Sequence, residues 1–226
     1  MTRYLRPSLL ASILAGVVCG IGCNPFTFVD FIGPEPQIAP ELQSLKPTDK
    51  NKKGPVNIVI LTYSGLETRE EFLGADRQLG ELLTRHLKDL AEFNGDKLTF
   101  VNLRKVEDYK NANPHWQEDL GQVGKDLKSD FVIYLEINSM SMYERGSREL
   151  YRGHADVSVS LHKIGDDEDL PQRKEYIATY PTVRAEPVDI DKPPMVFREQ
   201  FLNYLAKHIS WYFMAHPTRA TYMDDD

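Results

Sequence analysis

Cysteine is scarce in this sequence. Its 226 residues include only two cysteines, Cys19 and Cys23, and both lie near the amino terminus. A disulfide framework, a zinc cluster or a cysteine nucleophile would each need cysteines in the folded part of the chain. The composition therefore excludes these three kinds of site from that part.

Basic residues are also fewer than acidic ones. The 27 lysines and arginines are outnumbered by 34 aspartates and glutamates, which gives a formal net charge of −7. A protein that binds nucleic acid usually presents a strongly basic face. We therefore expect no nucleic-acid partner.

Long hydrophobic runs are missing as well. The apolar run at residues 9–18 is much shorter than the ~20 residues of a membrane-spanning helix, and no other run is as apolar. It follows Arg3 and Arg6 and precedes several small residues. A basic start, a short apolar stretch and small residues before a cleavage site are the parts of a secretory signal. We therefore predict a signal peptide at residues 1–22.

Cys23 directly follows this signal. It comes after Gly20 and Gly22, with one isoleucine between them. This arrangement resembles a bacterial lipobox, which implies that the Cys23 thiol is acylated and that Cys23 becomes the first mature residue. Cys19 is the poorer choice because two valines precede it. The alternatives are a cleaved signal with incidental cysteines and an uncleaved anchor.

The anchor implies a place in the cell. Several acyl chains on one cysteine would hold the protein on a membrane almost permanently. Asn24 follows Cys23, where enteric lipoproteins retained in the inner membrane carry aspartate. The resemblance thus implies the outer membrane, with the protein facing the periplasm.

A proline-rich stretch follows the anchor. Residues 26–32 include three phenylalanines. This segment either lies against lipid headgroups or packs as a short strand. Residues 33–55 contain five prolines, which remove backbone donors and fix φ. We predict a lipidated terminus and semi-extended tether over 23–55, a folded domain over 56–216 and an acidic tail over 217–226.

The remaining sequence alternates strand and helix patterns. We predict a β-α-β-α-β-β-β-α order, that is, a single α/β (α+β) domain with a mixed sheet of about five strands flanked by helices. The predicted strands are 56–63, 98–103, 131–137, 155–162 and 174–183. The predicted helices are 69–92, 106–127 (interrupted at residues 113–114) and 195–214.

Two segments resemble a known family. The turn at residues 64–66 leads into the helix GADRQLGELLTRHL, and residues 128–137 read KSDFVIYLEI. Together they look like envelope α/β domains of the curli-secretion lipoprotein, the lipoprotein activators of penicillin-binding proteins and the amino-terminal domain of Tol translocation protein B. The resemblance covers residues 56–164 and implies a non-catalytic domain that works by protein contacts.

Groups that could carry catalysis are few. Ser64 lies where a strand meets a helix, but it lacks the leading glycine of a nucleophile elbow and is also explained as a turn residue. None of the six histidines has metal-ligand spacing relative to another. We expect no enzyme activity, no metal and no cofactor.

Two acidic features of the sequence each have more than one interpretation. The acidic run Asp166, Asp167, Glu168 and Asp169 could gather calcium, although it lacks the spacing of a calcium loop and fits a solvated hairpin tip. Glu136 falls within an apolar strand, and a buried carboxylate needs a partner. The possible partners are the arginines that follow it, namely Arg145, Arg148 and Arg152.

These features favour a lipid-anchored envelope protein that binds an unknown envelope protein. The residues predicted for the interface are Met140, Met142, Tyr143 and Trp211, although Trp211 also fits a place in the core. One alternative is an oligomeric outer-membrane secretion component, for which segment 151–164 has the required length. The other is a hydrolase that uses Ser64. The sequence does not predict an oligomeric state.

Overall fold

The computed structural model of the chain describes residues 35–42, 45–46, 54–65, 68, 72–165, 170–188 and 193–219. The chain divides into two compact units, residues 1–36 and 37–226, and the elements below belong to the second. The predicted signal, Cys19, Cys23 and the aromatic residues 26–32 lie outside the described residues. So do the acidic run 166–169 and the aspartates at 224–226.

The described residues form eight strands and four helices. The strands are β1 (Gln37–Ile38), β2 (Val56–Ser64), β3 (Leu98–Phe100), β4 (Phe131–Tyr143), β5 (Leu150–Lys163), β6 (Gln172–Tyr180), β7 (Glu186–Pro187) and β8 (His216–Pro217). The helices are α1 (Ala75–Asn94), α2 (Leu103–Ala112), α3 (Leu120–Asp126) and α4 (Pro194–Trp211), with a 3-10 turn at Trp116–Glu118.

The main sheet is mixed, as predicted. Its strand order is β3-β2-β4-β5-β6, and β7 pairs with β5 beyond the end of β6. Strand β2 runs parallel to β3 and β4, whereas β5 is antiparallel to β4, β6 and β7. The fold class and the order of the main elements are thus confirmed. The predicted helix at 106–127 is two helices, α2 and α3, because the chain breaks at Asn113–Pro114.

Helices α1 and α4 cover one complete face of the sheet. Leu79, Leu83 and Leu87 of α1 are fully buried, and so are Phe197 and Phe201 of α4. Alternate residues of β2, β4, β5 and β6 face these helices, since side chains point to opposite faces along a strand. Phe197 stacks on Tyr151 of β5 with ring centroids 4.6 Å apart. This face of the sheet therefore holds the larger core.

The opposite face is covered over only part of its width. A smaller core joins α2, the 3-10 turn and α3 through Val106, Trp116 and Val123. Its fully buried strand residues come from β2 and β4, namely Val59, Leu61 and Val132. Among the described residues, no side chain within β5 or β6 belongs to this second core. The second helical layer thus lies mainly over β2 and β4, and α3 also contacts β5.

Part of the predicted tether packs on the domain. Strand β1 pairs with β8, and the Leu42 N–H donates to the Tyr212 carbonyl at 2.8 Å. Leu42 and Leu45 are buried, because apolar side chains in a proline-rich segment can still join a core at its margin. The described residues between 37 and 46 therefore belong to the folded unit and not to a tether.

Gly153 allows the close approach of α4 to β5. A Cβ at this position would lie 2.7 Å from the ring of Phe201, which is fully buried and cannot move aside. We expect Gly153→Ala to lower the free energy of unfolding by about 1–3 kcal/mol, as overpacking of a core does. Urea unfolding followed by circular dichroism measures the change.

The matched control is Gly65→Ala, because a Cβ at residue 65 meets no atom within 4 Å. This variant should unfold at nearly the wild-type urea concentration. Equal stability of the two alanine variants would contradict the packing of α4 described here.

Candidate contact surface

The four residues predicted as an interface do not lie together. Met140 and Met142 are buried in the larger core, at 8% and 9% exposure. Tyr143 is partly buried and stacks on Tyr151, near the amino-terminal end of α4. Trp211 lies at the other end of α4, where it stacks on His216 at 4.3 Å. An 18-residue helix is about 27 Å long, so these residues cannot form one patch.

Ser64 is closed off from solvent. It is the last residue of β2, it is 2% exposed, and its place in the alternation puts it on the α1 face of the sheet. On that side, His86 bonds Asn203 at 3.0 Å and His208 bonds the Tyr204 carbonyl at 2.9 Å. Among the described residues, no group of three or more metal-binding side chains could hold a metal ion.

Glu136 lies beside tyrosine and serine residues. It is opposite Tyr63 of β2 and Ser158 of β5, and it is partly buried. Burial, together with the nearby Glu136 carboxylate, raises the pKa of Tyr134 to about 12. Arg152, one of its three predicted partners, instead donates from Nη1 to Glu144 Oε2 at 2.9 Å. Arg145 and Arg148 are exposed in the turn after β4.

The uncovered half of the sheet presents a defined set of side chains. They face away from α4, beyond the edge of the second helical layer, and we call them the open face. The open face consists of Glu136, Asn138, Asp156, Ser158, Glu175 and Ile177.

Carboxylates and one large apolar side chain characterise the open face. Glu136 and Glu175 are both register partners of Ser158, so the two carboxylates lie on either side of it. Adjacent strands are about 4.8 Å apart, which makes this a compact acidic group. Asp156 is the partner of Ile177, and Ile177 is 75% exposed. The open face is thus acidic around an exposed isoleucine.

Hydrogen bonds order the centre of the open face. Asn138 Nδ2 donates to Asp156 Oδ1 at 3.2 Å and to Ser158 Oγ at 2.9 Å. Asn138 occupies a bulge in β4, where the register with β5 shifts between Ile137 and Ser139. Bulges re-aim side chains and are common next to functional sites. The polar centre of the face is therefore held by hydrogen bonds within the domain.

A second polar group lies where β4 turns into β5. The Glu144 carboxylate accepts from Arg152 Nη1 and from the Arg145 N–H, both at 2.9 Å. The hydrogen bond from Arg152, and next the one from the Arg145 backbone, lower the pKa of the Glu144 carboxyl. His154 contacts Thr179 Oγ1 through Nδ1 at 3.3 Å, and its Nε2 lies 4.0 Å from Glu144 Oε1.

Several solved structures of bacterial proteins are similar to this chain at low identity. No protein-family model and no curated protein matches the sequence. The PelC dodecamer from Paraburkholderia phytofirmans is 6% identical, with 80% of this chain and 99% of that chain covered and a TM-score of 0.41. Protein XCC0632 from Xanthomonas campestris is 10% identical, with 77% and 91% covered and a TM-score of 0.43.

Lipoprotein GNA1162 from Neisseria meningitidis is a third solved structure with this likeness. It is 10% identical, 69% of this chain and 99% of that chain are covered, and the TM-score is 0.37. At such identities and TM-scores, none of the three likenesses carries a function or a residue role to this chain.

The environment of His154 predicts how its ring titrates. Burial lowers the pKa of His154, Glu144 raises it, and Arg145 and Arg152 lower it further. We expect an NMR titration of the ring to give a pKa below the usual value of about 6.5. Because the unfolded chain then binds the proton more readily, this residue should reduce stability as the pH falls through about 6.5.

Replacement of Glu144 tests the cause. Glu144→Gln should lower the pKa of His154 still further, because it removes the charge that favours the imidazolium. A wild-type pKa at or above 6.5, or a rise in the variant, would contradict this assignment.

Proposed function

We propose that this chain is a bacterial cell-envelope lipoprotein, anchored through an acylated Cys23, whose domain binds another envelope protein through the open face. In this proposal the domain has no catalytic activity of its own. The observation that carries the proposal is the half-covered sheet, which leaves carboxylates and Ile177 presented on a rigid surface.

The amino-terminal sequence supports the anchor. A basic start, a short apolar run and Cys23 after small residues are the features of a lipoprotein signal, and Asn24 favours the outer membrane, facing the periplasm. None of the helices formed by the described residues has the length and apolarity needed to cross a bilayer. Acyl chains on Cys23 would supply membrane attachment.

The open face determines what kind of partner fits. Glu136, Asp156 and Glu175 supply negative charge, and Arg173 adds one positive charge toward the start of β6. A partner surface with basic side chains around an apolar residue would cover Ile177 and match this charge. Such complementarity mainly sets the rate and the specificity of association, while the apolar contact contributes to affinity.

The resemblance of residues 56–164 to envelope α/β domains supports the same proposal. That resemblance implies a domain that works by contact, like the curli-secretion lipoprotein and the activators of penicillin-binding proteins. The buried position of Ser64 gives the hydrolase alternative no solvent-accessible nucleophile.

Lipid attachment is tested by replacement of Cys23. The full-length chain should incorporate a fatty-acid label in bacteria, and mass spectrometry should find its mature start at residue 23. Cys23→Ser should abolish both the label and the membrane association, whereas Cys19→Ser should keep them. An unmodified Cys23 thiol in the mature protein would refute the anchor.

Contact through the open face is tested by crosslinking in the anchored protein. A photoreactive amino acid in place of Ile177 should give one discrete crosslinked product in intact cells. Glu175→Lys should reduce its yield, because like charges brought together at an interface cost several kcal/mol.

The matched controls lie on α2, which packs over β2 rather than over β5 or β6. A photoreactive group in place of the exposed Asp108 should give no such product, and Asp108→Lys should leave the crosslink from position 177 unchanged. Equal products from the two positions would count against the open face as the contact surface.

A further inference from the structure

A cavity lies at the turn between β4 and β5. Its volume is about 420 Å³, within the range of ~300–1,000 Å³ typical of small-ligand sites. The side chains that line it include three hydroxyls and three basic groups. They are Ser139, Ser141, Ser147, Arg145, Arg148 and His154. We propose that this cavity, which we call the hairpin pocket, binds a phosphate group.

The charge of the hairpin pocket favours an anion. Arg145 and Arg148 pair with no carboxylate among the described residues, so both guanidinium groups are available to a ligand. Glu144, the acidic residue in the lining, already accepts from Arg152 and from the Arg145 N–H. The pocket thus has a net positive charge in a chain whose net charge is −7.

One polar atom of the pocket lining lacks a hydrogen-bond partner. Within the described part of the chain, His154 Nε2 is shielded from solvent and makes no hydrogen bond, and Glu144 Oε1 is 4.0 Å away from it. Buried polar atoms are almost always satisfied, and an unsatisfied one calls for a bound ion, water or ligand. His154 lines the pocket, and Arg152 holds Glu144 in it. An anion bound beside His154 would give Nε2 the missing acceptor.

The backbone of β4 shapes the pocket. The register with β5 shifts once between Ile137 and Ser139 and again between Ser141 and Tyr143. These irregularities bracket Ser139 and Ser141, the two serines of β4 that line the cavity. Bulges next to a site redirect side chains toward it.

The number and spread of donors distinguish phosphate from carboxylate. Hydroxyl groups, two guanidinium forks and an imidazole surround the cavity, which suits an anion with three or four acceptor oxygens. A carboxylate has only two oxygens and would leave several donors unused. The phosphate could belong to a soluble phosphate monoester or to a phospholipid headgroup.

Calorimetry and NMR of the full-length chain in an uncharged detergent test the site, with inorganic phosphate and glycerol 3-phosphate as probes. We expect a Kd of about 1 mM, equivalent to about −4 kcal/mol, and a shift of the His154 ring signals on titration. Arg145→Gln combined with Arg148→Gln should weaken binding at least tenfold. The matched control, Arg104→Gln on α2, should bind like the wild type.

Acetate tests whether the hairpin pocket prefers phosphate over other anions. It should bind at least tenfold more weakly than inorganic phosphate. The same chain in phosphatidylglycerol vesicles separates the two phosphate sources. If the His154 ring signals in vesicles without added ligand already differ from those in detergent, the ligand is a lipid headgroup. If they are the same and change only when glycerol 3-phosphate is added, the ligand is soluble. Equal binding by the double variant, equal binding of acetate, or no His154 response in either medium would overturn the proposal.

Discussion

The packing of α4 against β5 and β6 is the interaction on which the rest of this structure depends. Phe197 and Phe201 are fully buried against Tyr151 and Gly153 of β5. This contact secures the half of the sheet that the second helical layer does not reach. Because one face of these strands supplies the core, their other face is free to carry charged side chains.

This division keeps the open face outside the core in the outer half of the sheet. The open face needs no helix above it, so Glu136, Asp156 and Glu175 keep part of their contact with water. Toward the carboxyl end of β4, two register shifts with β5 bracket residues that line the hairpin pocket. The two proposed sites, one for a protein and one for an anion, therefore lie on neighbouring parts of one surface.

Local patterns in the sequence predicted the fold well but the surface less well. The alternation at 155–161 correctly predicted a strand with one apolar face. Met140 and Met142 were predicted at an interface because methionine and aromatic residues are enriched at interfaces. An unbroken alternation from 131–137 would indeed put them opposite the core. The bulge at Asn138 shifts that alternation, so both methionines are buried. The open face itself depends on which strands the helices cover, and no local pattern encodes that.

The most direct test of the central claim measures the accessibility of residue 177 with and without a partner. Ile177→Cys in the anchored protein would be labelled with a membrane-impermeant thiol reagent, in the intact envelope and after purification, with Asp108→Cys as the reference. We expect residue 177 to be labelled fast in purified protein and to be strongly protected in the envelope. Residue 108 should be labelled at the same rate in both settings. Equal labelling of residue 177 in the two settings would contradict the central claim.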